Sequence, residues 1–204
     1  MNHLAHFYLS FGHDSIAVGN FLADFISRKE FENLSSNLLP GIKLHRKIDD
    51  FTDHHDRVRK SVRWLHPAFG KYAPVILDIY YDYLLSRNWN KYSDLSLEAF
   101  CNGIYEILLK YQSQYPSRLS DRIASMIRQK WLRSFASYTG LQSTFDRLNK
   151  RVKYPVDFSS ASTKLKSLEY KLELEFNLFF PEAIDFARNE LDLLNLENDW
   201  KPGV

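Results

Sequence analysis

Residues 160–180 read SASTKLKSLEYKLELEFNLFF, with Leu165, Leu168, Leu172, Phe176 and Phe179 three or four positions apart. That spacing gives a helix one apolar stripe and does not fit the two-residue period of a half-buried strand. Pro181 then ends or kinks this helix, and a shorter one follows through Ile184, Ala187 and Leu191. The same period recurs upstream. Ile123, Ile127, Trp131, Phe135 and Tyr138 mark a helical stripe over 117–138, and Ser96 is a natural N-cap for a helix over 96–111. Loops are expected at 35–40, 66–71, 88–94, 112–117 and 151–160. The one candidate strand, VKYPVDF at 152–158, contains Pro155, which lacks the N–H that a central strand must donate. The pattern predicts an all-α fold, a bundle of about seven to nine helices.

Composition agrees. Of the 204 residues 45% are hydrophobic, enough for a packed core, and 15% are aromatic, so large rings should fill it. Seven Gly and seven Pro supply too few turns for a sandwich of many short strands. Cys101 stands alone, which excludes an internal disulfide and a paired-thiolate metal or redox site. No internal repeat and no linker divides the chain. A single domain over 1–204 is therefore expected, with about the last dozen residues as a loose tail. The opening MNHLAHFYLSFGHD lacks the basic start and long apolar run of a secretory signal, and no run of about 18 apolar residues suggests a membrane span. A cytoplasmic location is the expectation.

The net charge of +2 conceals an uneven distribution. Residues 110–153 carry ten Lys and Arg against Asp121 and Asp146, whereas 167–200 carry nine acids against Lys171 and Arg188. Either the two segments neutralise one another, or part of the basic surface receives an acidic partner.

The chemistry concentrates near the N-terminus. All seven histidines lie within the first 66 residues. Asp24 sits inside NFLADFI and Asp78 inside VILDIYY, where an unpaired ionised carboxylate is costly to bury. In GIKLHRKIDDFTDHH, His45, Asp49 and Asp53 fall at i, i+4 and i+8 on one helical face. Asp78 and Asp82 repeat the one-turn spacing on a second helix, as do His3 and His6 on a third. Each residue also has a plainer reading. His6 can be a packed histidine, Asp24 a helix cap, and Asp49 and Asp53 solvated partners of Lys43, Arg46 and Lys47. Asp78 is the hardest to explain that way. Imidazoles with carboxylates and no thiolate suit Mn²⁺, Mg²⁺ or Fe²⁺ better than a structural zinc. Such a cation polarises a phosphoryl oxygen and acidifies water, while Arg46, Lys43 or Lys47 could hold the remaining phosphate oxygens. Phosphoester hydrolysis uses all these parts.

The blocks MNHLAHFYLS, GNFLADF, GIKLHRKIDDFTDHH and DIYYDYLLSRNW, in this order and spacing, resemble the acyl carrier protein phosphodiesterase family. That family is a divergent branch of the HD-type metal-dependent phosphohydrolases. The likeness runs to about residue 190 and is strongest over 1–90. It implies an HD-domain-like fold and removal of 4′-phosphopantetheine from a serine of acyl carrier protein, typically with manganese. It also implies a metal centre drawn from His6, Asp24, His45, Asp49 and Asp78, with Arg46 and Asp82 as catalytic neighbours and Trp89 as a packing residue. One departure from an ordinary HD protein is that His45 is followed by Arg46, not by Asp. Recognition of an acidic carrier protein calls for basic side chains near the centre. The group Arg57, Arg59, Lys60 and Arg63 is favoured over the 110–153 segment, since it directly follows the proposed ligands. Two other readings stay open at this point: the same chemistry on a small nucleotide or other phosphodiester, and a non-catalytic helical binding module.

Overall fold

A computed structural model of the chain describes residues 1–150 and 158–199. Among these the secondary structure is helical throughout, with no strand. The segment VKYPVDF lies almost wholly outside the described residues. The helices are α1 (His3–Tyr8), α2 (Asp14–Leu22), α3 (Arg28–Phe31), α4 (Leu39–His54), α5 (Asp56–Phe69), α6 (Ala73–Arg87), α7 (Leu97–Lys110), α8 (Ser120–Arg128), α9 (Trp131–Ser134), α10 (Tyr138–Asn149) and α11 (Ala161–Asp199). That exceeds the expected seven to nine, but α3 and α9 are single turns of four residues. No helix among the described residues is long and apolar enough to cross a membrane.

Local chemistry explains most of the boundaries. Pro40 and Pro74 stand in the first turns of α4 and α6, where a missing N–H costs nothing. The Ser96 hydroxyl accepts the Ala99 N–H at 3.1 Å, so the expected cap of α7 is present. Two boundaries differ from expectation. The stripe over 117–138 does not belong to one helix, because Lys130 adopts a left-handed conformation (φ 48°) and ends α8. The stripe survives the change of axis, with Ile123 and Phe135 buried and Trp131 packed against the core. The long helix α11 also runs straight through Pro181 instead of stopping for a second helix. Proline forfeits one backbone hydrogen bond there. Buried Phe176, Phe179 and Phe180 before it, and Ala183 and Ala187 after it, hold both halves against one core. Similarly, α5 continues past Pro67 to Phe69, into the segment expected to be a loop.

The core is aromatic, as the composition suggested. Phe7, Phe135, Phe145, Tyr80, Tyr81 and Phe176 are among its fully buried side chains. Each contributes about 1.5–3 kcal/mol relative to exposure. Trp89 is buried and donates its indole N–H to the Leu95 carbonyl at 2.7 Å, a packing residue as expected. A close helix crossing joins α2 to α4. A Cβ added to Gly41 would overlap the Ile16 carbonyl oxygen and lie 2.8 Å from the Asn20 nitrogen, and Gly19 faces the same crossing from α2. Only hydrogen at both positions lets the two backbones meet. Among the described residues, acidic side chains of α11 pair with α4, α5 and α6. Glu175 pairs with Arg57 and Lys60, Glu169 with Arg87, and Glu190 with Lys47.

Candidate metal centre

The α2–α4 crossing places Asn20 beside His45. The Asn20 amide donates through Nδ2 to the His6 carbonyl at 3.0 Å and to Ser10 Oγ at 3.2 Å, which turns its Oδ1 toward His45. His45 Nδ1–H donates to that oxygen at 3.0 Å. The other nitrogen of the ring, Nε2, is then directed at two carboxylates, Asp49 at 3.1 Å and Asp24 at 3.4 Å. From α1, His6 stacks on His45 with ring centroids 4.2 Å apart and brings its Nε2 to 3.1 Å from Asp49. Ligand atoms of His6, His45 and Asp49 all lie within 4.8 Å of one another. Asp78 approaches from α6 by way of the N-terminus. The buried Met1 α-amino group lies 3.4 Å from both Asp49 and Asp78. Of the five candidate ligands, His6, His45 and Asp49 form one group, Asp24 touches that group at His45, and Asp78 meets it only through the Met1 ammonium.

The imidazoles form a buried floor and the carboxylates an accessible rim. Side-chain exposure is 2% for His6 and 7% for His45, against 39% for Asp24 and Asp49 and 29% for Asp78. Burial lowers the basicity of His6 and outweighs its bond to Asp49. His45 goes the other way: burial opposes its charge, but Asp24 and Asp49 together push it up to about 9. Burial likewise opposes ionisation of Asp24 and Asp49, yet the facing histidines hold both below the usual carboxylate range. Burial raises Asp78, and the neighbouring ammonium only partly offsets it.

This donor set fits a divalent cation. Without a metal the two carboxylates are met by a charged His45 that donates through both ring nitrogens. A divalent cation would take the place of the Nε2 proton, and Asn20, which accepts from Nδ1–H, leaves Nε2 as the nitrogen that would ligate. His6 Nδ1 is buried with no hydrogen-bond partner. Oxygen and imidazole donors without sulfur match the hard-to-borderline ions expected.

Asn20 was not singled out in the sequence, because an uncharged amide carries no titratable signal. Its setting in VGNFL, apolar on both sides, has the same oddity that marked Asp24. An orienting partner of a metal-bound histidine typically contributes 10–100-fold to metal affinity. Asn20→Ala is therefore expected to weaken Mn²⁺ binding by roughly 10–100-fold in a calorimetric titration. Unchanged affinity would remove Asn20 from the centre.

Residues 1–183 match the family model described as acyl carrier protein phosphodiesterase. The chain belongs to the acyl carrier protein phosphodiesterase family. Among curated proteins bearing that name, the one from Pectobacterium atrosepticum is 25% identical over 93% of this chain and 99% of its own length. One from Klebsiella pneumoniae is 27% identical with the same coverage. One from Escherichia coli O6 is 28% identical over 92% of this chain and 97% of its own. No solved structure matches.

Within this acyl carrier protein phosphodiesterase family member, the residues expected around the centre separate. Asp82 is fully buried and accepts the N–H groups of Leu4 at 2.9 Å and Ala5 at 3.0 Å. It ties the first turn of α1, the helix that carries His6, to α6 one turn from Asp78. Arg46 is exposed, with its guanidinium 5.3 Å above the Phe31 ring and no contact to the carboxylate rim. Asp53 is exposed and shares a groove with Asp78. His54 is exposed and bonded to its own helix at Asp50, and His55 caps α5 and pairs with Glu182. The basic group also divides: Arg57 and Lys60 are engaged by Glu175, whereas Arg59 and Arg63 are exposed, lining the groove with Asp53 and Asp78.

Proposed function

We propose that this protein hydrolyses the phosphodiester joining 4′-phosphopantetheine to a serine of holo-acyl carrier protein, in the cytoplasm, with Mn²⁺ as the preferred metal over Mg²⁺ or Fe²⁺. The observation that carries the reading is the group of His6, His45 and Asp49, with Asp24 against His45, in a member of this family. His6, His45, Asp24, Asp49 and Asp78 are the residues that would hold the cation, in a divergent HD-type arrangement. A divalent ion there supplies Lewis-acid polarisation of the phosphoryl oxygen and acidification of water. Asn20 orients His45, and Asp82 fixes the entry of α1, so both act as positioning residues. Arg46 has no part in this reading.

Arg59 and Arg63 lie one helical turn apart beside Asp78 and are the proposed contacts for the acidic carrier protein; Arg57 and Lys60 are assigned to the α5–α11 packing instead. Such surface contacts steer association and weaken with salt, over a Debye length of about 8 Å at physiological ionic strength. Arg59→Glu with Arg63→Glu is expected to raise KM for holo-acyl carrier protein by roughly tenfold or more and to flatten its salt dependence, with kcat little changed. A loss confined to kcat would place these arginines in the reaction and not in docking.

The direct test is mass spectrometry of holo-acyl carrier protein after incubation with the protein and Mn²⁺. The expected product is the apo-protein with a free serine and released 4′-phosphopantetheine. An intact arm with Mn²⁺, Mg²⁺ and Fe²⁺ alike would overturn the reading.

A further inference from the structure

Three cavities lie near the centre, and their walls differ in chemistry. The largest, about 860 Å³ between α4, α5 and α11, is lined by charged groups including Asp50, Asp56, Arg57, Glu175 and Glu182. The groove holding Arg59 and Arg63 has room for about 450 Å³ and ends at Asp78. A third cavity, about 370 Å³, lies within the range of small-ligand sites; its wall is mainly apolar, with Phe21, Phe25, Ile79, Met126 and Trp131, and also includes Arg122 and Arg147.

This third cavity adjoins the centre by sequence and by contact. Phe21 and Phe25 flank Asp24, and Ile79 follows Asp78. His3, also in its wall, brings Nδ1 to 3.4 Å from the Asp24 carboxylate. Two lining residues carry buried donors with no acceptor in the protein, Asn2 Nδ2 and Trp131 Nε1. An unsatisfied buried donor costs about 1–3 kcal/mol, which an acceptor on a ligand would relieve. An uncharged chain that carries amide carbonyls and branched methyl groups matches the apolar part of the wall and the two buried donors. It does not match the charged wall of the largest cavity, where an uncharged chain would have to desolvate ion pairs.

Resting on the proposed reaction, we infer that this cavity between α2, α6, α8 and α10 is the subsite for the pantetheine arm. The α6 pair Asp78–Ile79 then separates two sides of one substrate. The carrier protein lies along Arg59 and Arg63, the arm lies against Ile79 and Met126, and the phosphodiester spans the rim between them.

Photolabelling of the wild-type protein with pantetheine bearing a diazirine tests this without depending on any variant. Labels on α8 and on Trp131, suppressed by excess pantetheine, are expected. Labels confined to the α4–α5–α11 cavity, or labels that pantetheine does not suppress, would overturn the inference. In parallel, Met126→Trp, which fills the cavity, is expected to raise KM for holo-acyl carrier protein about tenfold or more and to abolish competition by free pantetheine. If the wild type releases the arm while labelling maps elsewhere, the subsite is wrong and the reaction stands. If the wild type releases no arm, both readings fail.

Discussion

Asp49→Asn is expected to lower turnover of holo-acyl carrier protein by roughly 10³-fold, equivalent to about 4 kcal/mol of transition-state stabilisation. Asp49 is the one carboxylate that faces both imidazoles, at 3.1 Å each, and it lies 3.4 Å from the Met1 ammonium as well. Asparagine keeps its volume and removes its charge, so the loss should appear in Mn²⁺ affinity and kcat while the melting temperature stays within a few degrees. Asp78→Asn should act in the same direction. His54→Ala is the contrast: its ring is exposed and bonded only within its own helix, so activity should stay within about twofold. Near-normal turnover of Asp49→Asn at limiting Mn²⁺ would dismiss the centre.

The second large effect is expected at the α2–α4 crossing. Gly41→Ala regains about 1 kcal/mol of helix propensity. Against that, its Cβ meets the Ile16 carbonyl and the Asn20 nitrogen, which are backbone atoms and cannot rotate away. Overpacking of this kind costs about 3 kcal/mol or more. The net loss of about 2 kcal/mol should lower Tm by roughly 4–8 °C for a chain of this size. It should also weaken Mn²⁺ binding, since the displaced strut carries Asn20. Gly103→Ala, in a helix where an added Cβ meets nothing within 4 Å, should instead leave Tm unchanged or slightly higher. Equal behaviour of the two variants would refute the close-crossing account.

The sequence was most legible where one residue's role depends on its own helix. The one-turn spacing of His45 and Asp49 put both on the inner side of α4. Asp24 and Asp78 betrayed themselves by charge in apolar surroundings. Asp82 carried the same mark, yet its partners are the N–H groups of a helix 77 and 78 positions away, and nothing local separates a ligand from such a cap. The basic group on α5 was visible as a group, but its division was not. Arg57 and Lys60 are paired with Glu175, 118 and 115 residues later. Pro181 misled because local rules weigh one lost hydrogen bond, whereas the rings on either side of it are held by the whole core.

That α11 follows every candidate ligand in the chain has a consequence for biosynthesis. Every candidate ligand, together with Asp82, is made before Tyr83, and the 117 residues from Tyr83 to Asp199 take the ribosome roughly 6–23 s at 5–20 residues per second. For that interval the nascent helices α4, α5 and α6 have no cover for the faces that α11 later packs against. Arg57 and Lys60 meanwhile stand beside Arg59 and Arg63 as one unbroken cationic face. Only the arrival of Glu175 divides that face into a packed half and a docking half, so the nascent chain presents a broader basic surface than the finished one.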